Sequence, residues 1–454
     1  MDHSEPSGAP RAPNHPRSKR SGKVCVLRAR QAAERIEGVL RDLVGVPLPV
    51  GVVAWDGSTA GPRSGPRVVL RRRRALRHLL FSPGELGLAR AFVSGDLDVE
   101  GDLAEGLRRC WAAFREQRVA KPRFGPSAWR RMLGEAVALG AIGPRPKPPA
   151  SEARPSGALH SRRRDRSVIA HHYDTGNEFY ELLLDPSMAY SCGYFTGDGG
   201  LAEAQRAKLD LICRKLGLTA GMRLLDVGCG WGSLILHAAR HYGVHATGVT
   251  LSAQQAGHVQ QRIEESGLCG QVHVRLQDYR EVRDVEPFDA VASIEMGEHV
   301  GTDQYPIYAA ALHRLARPGA RVLVQQMSRA GTAPGGGAFI ESYIAPDMSM
   351  VPVGRTLGLL EDAGLEIRDV EAMREHYVRT VEAWARTLDE NWDAAVELVG
   401  PEQARVWRLY LAGGGLAFEE NRMGVNQILA VRPTVDGRSG LPVAGRSTVL
   451  EGVR

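Results

Sequence analysis

The sequence lacks the features that define several large classes of protein. Across its 454 residues there is no run of about 18 uncharged apolar residues, the length that a membrane-spanning helix needs. The first residues include Pro, Arg and Lys where a secretory signal would have an apolar segment, so a cytoplasmic location is expected. The six cysteines show no CxxC or CxxH spacing, which disfavours a structural zinc site and a disulfide framework.

The composition is that of a folded protein with more than one domain. Hydrophobic residues make up 43% of the chain and charged residues 24%, close to globular averages, which argues against a mainly disordered or fibrous protein. Domains usually span about 100 to 200 residues, so two or three are expected.

Charge is divided unequally along the chain. Residues 1–166 contain 32 Lys and Arg against 16 Asp and Glu, a net charge of +16, whereas residues 167–454 contain 26 against 36, a net charge of −10. A basic half predicts an anionic partner, either nucleic acid or the surface of a phospholipid membrane. A solvated, arginine-rich surface is the alternative.

Composition also divides the chain into five segments. Residues 1–22 form a basic tail that we expect to be disordered, and residues 23–140 mix helix and strand signals, which predicts a small α+β domain. Residues 141–166 combine five prolines with a basic cluster and predict an extended, solvent-exposed linker. A second domain is predicted over residues 167–435, with a tail at 436–454.

Strand and helix signals alternate in the second domain. Buried strands are predicted at residues 223–227, 245–249, 272–276, 290–294 and 320–325, with helices at 202–216, 233–242 and 253–266. This alternation predicts β-α-β units in a doubly wound, parallel α/β sheet. The ligand should lie at the carboxyl ends of the strands.

A glycine loop follows the first of these strands. In LLDVGCGWGS, residues 224–233, Asp226 ends the strand and Gly228, Gly230 and Gly232 precede a helix. Glycines let a ligand approach the backbone closely, and the helix start offers free N–H groups, so a Cβ at Gly228 or Gly230 is expected to intrude. The GxGxG spacing differs from the GxGxxG of dinucleotide enzymes.

Polar residues follow the next two strands. Thr250, Leu251, Ser252, Gln254 and Gln255 suit hydrogen bonding to ribose, and Gln277 with Asp278 supplies an amide and a carboxylate for an adenine amino group. Together with the glycine loop, these residues predict a pocket for S-adenosylmethionine (SAM). A nicotinamide or flavin site, or a glycine turn that serves only packing, are the alternatives.

Six ordered motifs resemble the cyclopropane-fatty-acyl-phospholipid synthase family. They are HYDTGN at residue 172, YSCGYF at 190, VGCGWGS at 227, GVTLSAQQ at 248, QDYR at 277 and EHVG at 298. The resemblance is close over residues 168–432, and residues 81–103 look like the N-terminal domain of the longer bacterial members. It implies a Rossmann-like class I methyltransferase domain and adds four residues to the cofactor site: Tyr173, Tyr190, Ser191 and Ile294.

The resemblance also implies a reaction and a site for it. Family members transfer the methyl group of SAM to a cis double bond of an unsaturated phospholipid acyl chain, and the resulting carbocation must lose a proton. Their base is thought to be a bound bicarbonate. By motif, Cys192, Glu298 and Tyr377 match three residues that hold it, and Met327 supplies the backbone group.

Two positions depart from the family pattern. Gln325 stands where the family has a His; an amide can donate a hydrogen bond to an anion, but it cannot become a cation or relay a proton. Gln325 in place of the family His therefore argues against a bound bicarbonate. A later family cysteine is absent from residues 410–414. Structural roles remain the alternative for each candidate: Cys192 as a buried hydrophobe, Glu298 as a helix cap, Tyr377 as a core aromatic and Gln325 as a hydrogen-bonding filler.

The predicted function is methylation of a phospholipid acyl chain at the inner face of an anionic membrane. The product is a cyclopropane ring or, as a near-equal alternative favoured by Gln325, a methylene branch that a partner reductase would convert to a methyl branch. A homo-oligomer is compatible with this interpretation. No nucleic-acid partner is expected, because no Asn-Pro-Pro-Tyr type of motif follows Ile294; a small soluble acceptor is the remaining alternative.

Overall fold

The computed structural model describes residues 31–116, 126–153, 157, 164, 176–329 and 337–441. Tyr173 and the predicted tail 1–22 lie outside the described residues. Among the helices that are described, none is long and apolar enough to cross a membrane.

The N-terminal region combines a small sheet with helices, which confirms the predicted α+β class. Its four strands lie in the order β2-β1-β3-β4, with β1 parallel to β3 and the other two pairs antiparallel. Alternating apolar residues of the strands pack on the buried faces of α1 and α3. The elements are α1 (Ala32–Val44), β1 (Gly51–Val53), β2 (Thr59–Ala60), β3 (Arg67–Leu70), α2 (Arg74–Phe81), α3 (Glu85–Val93), β4 (Leu97–Glu100), α4 (Leu103–Glu116) and α5 (Pro126–Ala138).

The second region is an α/β unit built around seven strands. Two 3-10 turns, Tyr279–Glu281 and Gly297–His299, accompany its longer elements. These are α6 (Asn177–Leu183), α7 (Leu201–Leu216), β5 (Arg223–Val227), α8 (Ser233–Tyr242), β6 (His245–Thr250), α9 (Ala253–Glu265), β7 (Val272–Leu276), β8 (Phe288–Ile294), α10 (Tyr305–Leu315), β9 (Ala316–Ser328), α11 (Ala338–Tyr343), α12 (Val353–Asp362), β10 (Glu366–Ala372), α13 (Arg374–Glu390), α14 (Trp392–Glu419) and β11 (Gly424–Val431).

The seven strands lie in the order β10-β11-β9-β8-β5-β6-β7, and five of them, β9 to β7, are parallel as predicted. Strand β11 differs, since it is antiparallel to both neighbours. After β10, the helices α13 and α14 return the chain to the edge of the sheet where β10 ends. Strand β11 therefore begins at this edge and runs in the direction opposite to its two neighbours. Its first residues therefore lie at the carboxyl edge of the parallel strands, with Gln427 opposite Gln325.

Two apolar cores cover the two faces of the large sheet. Because side chains alternate along a strand, Leu224 and Leu225 enter different cores. A third cluster, rich in aromatic residues, lies over the carboxyl edge and joins α6, α13 and α14. Trp231 of the glycine loop belongs to this aromatic cluster. The loop is therefore in contact with the cluster on one side and with the core of the sheet on the other.

The predicted linker is more firmly held than expected. Glu152 accepts two hydrogen bonds from Arg90, at 2.7 and 2.6 Å, and one from the Tyr343 hydroxyl at 3.1 Å. The Ala153 N–H donates to the carbonyl of Ser342 at 2.7 Å. Glu152 and Ala153 of the predicted linker are therefore half-exposed and hydrogen-bonded to the rest of the chain, because a buried arginine on α3 requires a carboxylate partner.

Candidate active site

One pocket lies at the carboxyl ends of β5, β6 and β8, where the sheet topology predicts a ligand. Apolar side chains, among them Met188, Met296 and Val300, share its wall with polar groups. The predicted cofactor-binding residues that form part of the wall are Tyr190, Ser191, Asp226, Gly228, Gly230, Thr250, Leu251, Gln255, Gln277 and Ile294.

The glycine loop needs glycine for two different reasons. Gly228 has φ +84°, and a Cβ there would lie 2.7 Å from Cγ of Met296, whereas at Gly232 it would lie 3.0 Å from Cγ1 of Val259. At Gly230, with φ +53°, a Cβ would meet no protein atom within 4 Å. A side chain at Gly230 would thus clash only with a ligand bound in the pocket. At Gly228, a side chain would clash with the protein itself.

Asp226, just before the glycine loop, has a buried carboxyl oxygen that is available to accept a hydrogen bond. Its Oδ1 has no hydrogen-bond partner among the described residues, and the side chain is almost fully buried. Burial raises the pKa of Asp226 to about 7, and the charge of Lys208 opposes this shift. A buried carboxyl oxygen without a partner beside a glycine loop fits a ligand that brings its own donors.

Four of the predicted cofactor-binding residues do not form part of the pocket wall. Ser252 caps α9 by accepting from the Gln255 N–H at 3.2 Å, and Gln254 is exposed. Asp278 forms an ion pair with Arg280 at 2.7 Å. Gly232 precedes α8 and serves the packing of the loop. Ser252, Asp278 and Gly232 therefore support the structure around the pocket, whereas Gln254 is exposed outside its wall.

Lys208 was not predicted from the sequence and forms part of the pocket wall. It is fully buried on α7, and its Nζ donates a hydrogen bond to Oγ of Ser191 at 3.0 Å. Burial lowers the pKa of Lys208, while Glu295, Asp185 and Asp226 raise it. The side chain therefore places an amine donor next to a serine of the pocket wall.

A second group of side chains surrounds the carboxylate of Glu295, which directly follows β8 and forms part of the pocket wall. Its Oε1 accepts from the backbone N–H of Cys192 at 2.9 Å and from Nε2 of Gln325 at 2.7 Å. Its Oε2 accepts from the Tyr377 hydroxyl at 2.6 Å. Three of the four predicted catalytic residues therefore meet at a carboxylate that the sequence analysis missed.

The orientation of Gln325 is fixed from behind. Nε2 of Gln427 on β11 donates to Oε1 of Gln325 at 2.9 Å, and both side chains are fully buried. Because the amide oxygen of Gln325 is used in this way, its NH₂ group is directed at Glu295.

Cys192 contributes its backbone rather than its thiol. The Sγ donates to the carbonyls of Gly193 and Met373, at 3.3 and 3.6 Å. Burial, followed by the charge of Glu295, raises the pKa of the Cys192 thiol well above its ordinary value. A protonated thiol is neither a base nor a nucleophile at neutral pH.

Glu298, the fourth predicted catalytic residue, is not hydrogen-bonded to the other three. It is fully buried, and neither of its oxygens has a hydrogen-bond partner among the described residues. Burial, and then the neighbouring Glu295, raise the pKa of Glu298 well above its ordinary value, against smaller opposing effects of the backbone at Glu298 and Met327. The geometry therefore puts Glu295 at the centre of the cluster and Glu298 beside it.

Comparison with known proteins identifies the family. The profile of the mycolic acid cyclopropane synthetase family matches residues 160–428. The chain belongs to this family. It is therefore a SAM-dependent methyltransferase with a class I fold, and the prediction of SAM as its cofactor is confirmed.

Relatives extend the likeness beyond the catalytic region. A probable fatty acid methyltransferase of Mycobacterium tuberculosis is 41% identical over 87% of this chain and 94% of its own. Cyclopropane-fatty-acyl-phospholipid synthase of Escherichia coli is 34% identical over 62% of this chain and 71% of its own. A solved structure of the mycolic acid cyclopropane synthase CmaA1 with SAH and CTAB matches 58% of this chain and 97% of its own, with 32% identity and a TM-score of 0.54.

Proposed function

We propose that the enzyme methylates a double-bond carbon in an unsaturated acyl chain of a membrane phospholipid. The observation that carries this proposal is the half-buried carboxylate of Glu295 in a wall that is otherwise rich in apolar and aromatic side chains. An alkene is a weak nucleophile, so its methylation requires alignment, exclusion of water and a group that accepts a proton afterwards. SAM supplies an electrophilic methyl group when it is bound at the glycine loop.

The residues of the pocket have separate tasks in this proposal. Gly228 and Gly230 let the cofactor approach the backbone, and Ser191 with Lys208 offers it a polar contact. Tyr190 packs within an aromatic cluster, with its ring centroid 5.6 Å from that of Tyr180 and 5.2 Å from that of Trp384, and presents a ring that stabilises positive charge on the acyl chain.

The relatives support a lipid acceptor. One is named for action on a fatty acyl phospholipid, and another was solved with CTAB, a molecule with a long alkyl chain. We test the acceptor with SAM labelled in its methyl group and vesicles of unsaturated or saturated phospholipid. Label is expected in the lipid extract of the unsaturated vesicles alone. Label in soluble metabolites, or none in unsaturated lipid, would contradict the proposal.

For the product we propose a methylene branch, which a reductase then saturates. Gln325 is a neutral donor where the family has an imidazole, and this changes how the base is held when the proton leaves. The relative that matches almost the whole chain is named a fatty acid methyltransferase. Proton NMR of the purified lipid distinguishes the isomers, because methylene protons resonate in the alkene region and cyclopropane protons far upfield. A purely cyclopropane product would contradict the proposal of a methylene branch.

We also propose that an apolar surface of the N-terminal region docks on an anionic phospholipid bilayer. Leu80 and Phe81, at the end of α2, and Leu88, within α3, are 42%, 47% and 49% exposed. The opposite face of α3 packs through Ala89 and Val93 on the helix α11. The chain after α11 reaches Ala345 in the pocket wall, so this surface lies one helix away from the wall.

The arginine side chains near this surface form ion pairs with carboxylates of the chain. Arg71 is paired with Asp98, and Arg72 and Arg74 are paired with Asp96, yet their side chains stay 45–68% exposed. Arg164 of the predicted linker cluster is held by Asp347 and only 16% exposed, while residues 162 and 163 lie outside the described residues. Arg71, Arg72 and Arg74 therefore offer the exposed positive charge that complements an anionic headgroup layer.

Co-sedimentation with vesicles tests the docking surface. Phe81→Ser and Leu88→Ser are expected to weaken binding to phosphatidylglycerol vesicles, and raised salt should weaken it further because part of the attraction is electrostatic. Ile307→Ser, at a residue of α10 that is 51% exposed, is the matched control. Equal binding by all three variants, or equal binding to neutral vesicles, would contradict the proposed surface.

A further inference from the structure

The groups expected to hold a bicarbonate already hold a carboxylate of the chain. The Cys192 N–H, the Gln325 amide and the Tyr377 hydroxyl all donate to Glu295, at distances of 2.6 to 2.9 Å. Cys192, Gln325 and Tyr377 are buried behind it, and only Glu295 of these four residues belongs to the wall of the pocket. The carboxylate therefore stands between the donors and the place where a substrate would react.

A separate bicarbonate does not fit this arrangement. The Cys192 N–H and the Tyr377 hydroxyl have one proton each, and both are used by Glu295. The oxygen of Gln325 is occupied by Gln427 and cannot become a donor. A second anion would also lie beside the charge of Glu295 in a buried site, where like charges repel strongly.

The backbone at Glu295 adds an independent sign of function. Its φ of +52° lies in the left-handed region, which is unfavourable for a residue with a long side chain by about 1–2 kcal/mol. The N–H of Glu295 donates to the carbonyl of Gln325 at 2.6 Å and holds this conformation. Strained backbone that the surroundings hold in place is characteristic of active sites.

The charge state of the two neighbouring glutamates follows from their partners. Burial raises the pKa of both Glu295 and Glu298. Hydrogen bonds from Tyr377, the Cys192 backbone and Gln325 lower the pKa of Glu295, followed by the charge of Lys208. No side chain of the described residues donates to Glu298, and the charge of Glu295 raises its pKa further. The partners therefore favour the proton of the pair on Glu298 and the negative charge on Glu295.

We infer that Glu295 is the base of the reaction and replaces bicarbonate. This inference rests on the proposed function. The alkene π pair forms the new C–C bond as the S–CH₃ bond breaks and leaves its electron pair on sulfur, so one neighbouring carbon becomes cationic. For the ring, Glu295 accepts a proton from the new methyl group, and the pair of the broken C–H bond closes the ring onto the cationic carbon. For the methylene branch, a hydride first shifts from the methylated carbon to the cationic carbon. Glu295 then accepts a proton from the methyl group, and the pair of that C–H bond forms the double bond. Glu295 later returns the proton to solvent.

Binding of radiolabelled bicarbonate to the full chain tests the inference without any turnover. The wild type is expected to bind none at millimolar concentration, because its donors are occupied. Glu295→Gly removes the carboxylate, suits the positive φ and leaves the three donors open, so this variant should bind bicarbonate and melt at a higher temperature in its presence. Saturable binding to the wild type, or no binding to a folded Glu295→Gly variant, would overturn the inference.

Turnover of unsaturated phospholipid in buffer freed of carbon dioxide gives the second readout. Wild-type turnover should be unchanged when bicarbonate is added, whereas Glu295→Gly should lose about 100-fold or more and recover partly with bicarbonate. Glu295→Gln should be slow and not rescued, and Glu382→Gln, at an exposed residue of α13, is the control. A wild type that requires bicarbonate contradicts the inference. Absence of transfer by the wild type under both conditions contradicts the proposed function instead, and the binding measurement still decides about Glu295.

Discussion

The two sides of the pocket are built in different ways. On the cofactor side, one short segment from Asp226 to Gly232 supplies a strand end and a glycine loop, and the residues after β6 complete it. On the side of Glu295, the carboxylate and its donors come from four separate segments, with the acceptor at residue 295 and the donors at residues 192, 325 and 377. The difference teaches that a binding loop is encoded locally, while the surroundings of a base depend on the whole fold.

The largest effect that distinguishes the two sides is expected from Glu295→Gln. This change keeps the shape of the side chain but removes its basicity, so turnover should fall by about 10²–10⁴-fold. SAM affinity, measured by calorimetry, should stay within about threefold, because the glycine loop is unchanged. Near-normal turnover would remove Glu295 from the chemistry, and a comparable loss of SAM affinity would show that the two sides are not separate.

The converse change is Gly228→Ala, which should act on the cofactor side alone. A Cβ at φ +84° would lie 2.7 Å from Met296, and the left-handed backbone alone is unfavourable by about 1–2 kcal/mol. SAM should bind at least about tenfold more weakly by calorimetry. Gly358→Ala in α12, where a Cβ meets nothing within 4 Å, is the control. Unchanged affinity in Gly228→Ala would contradict the assignment of the loop.

Tyr377→Phe should have an intermediate effect that depends on pH. The change removes one donor to Glu295 but keeps the ring, whose centroid lies 4.4 Å from that of Phe418. A hydrogen bond to a charged group contributes about 1.5–3 kcal/mol, so turnover should fall by about 10- to 100-fold.

The sign of the pH effect follows from the same contact. The Tyr377 hydroxyl lowers the pKa of Glu295, so its removal raises that pKa and moves the acidic limb of the kcat profile to higher pH. Tyr242→Phe, whose hydroxyl binds Asp210 on the far side of α7, is the control. An acidic limb that stays in place would show that Tyr377 does not act through Glu295.

The smallest expected effect belongs to Gln427→Leu. Gln427 touches neither the pocket wall nor Glu295, but it fixes the amide of Gln325. Loss of one neutral hydrogen bond corresponds to about 1 kcal/mol, so turnover should fall by about fivefold with SAM affinity unchanged. A loss as large as that of Glu295→Gln would mean that Gln427 has a direct role.

The sequence predicted the parallel part of the sheet well. Strands Arg223–Val227 and Val272–Leu276 have the predicted bounds, because buried parallel strands are short apolar runs between turn residues. Strand β10 was missed, since its alternation of Glu, Arg and Asp with apolar residues is weak. Strand β11 was missed because Asn426 and Gln427 interrupt its apolar run, and these polar residues are buried only once β9 lies beside them.

The same contrast applies to the site. The cofactor loop could be predicted because its residues are contiguous and each glycine has a local reason. Cys192, Gln325 and Tyr377 could be named only through the family resemblance, and their common partner is a residue that the family motif does not include. One signal in the sequence could have identified Glu295, because it is a carboxylate directly after the buried strand β8. Asp226 was identified in this way at the end of β5. Only the tertiary structure shows which donors converge on it.

The central claim is that the donors act through Glu295, and a double variant tests it most directly. Single-turnover rates of Glu295→Gln, Tyr377→Phe and the combined variant are compared with that of the wild type on the same unsaturated lipid. If Tyr377 serves only to hold Glu295, the combined variant should be as slow as Glu295→Gln alone, because groups that act as one unit are not additive. Losses that multiply would contradict the account, since Tyr377 would then contribute independently of Glu295.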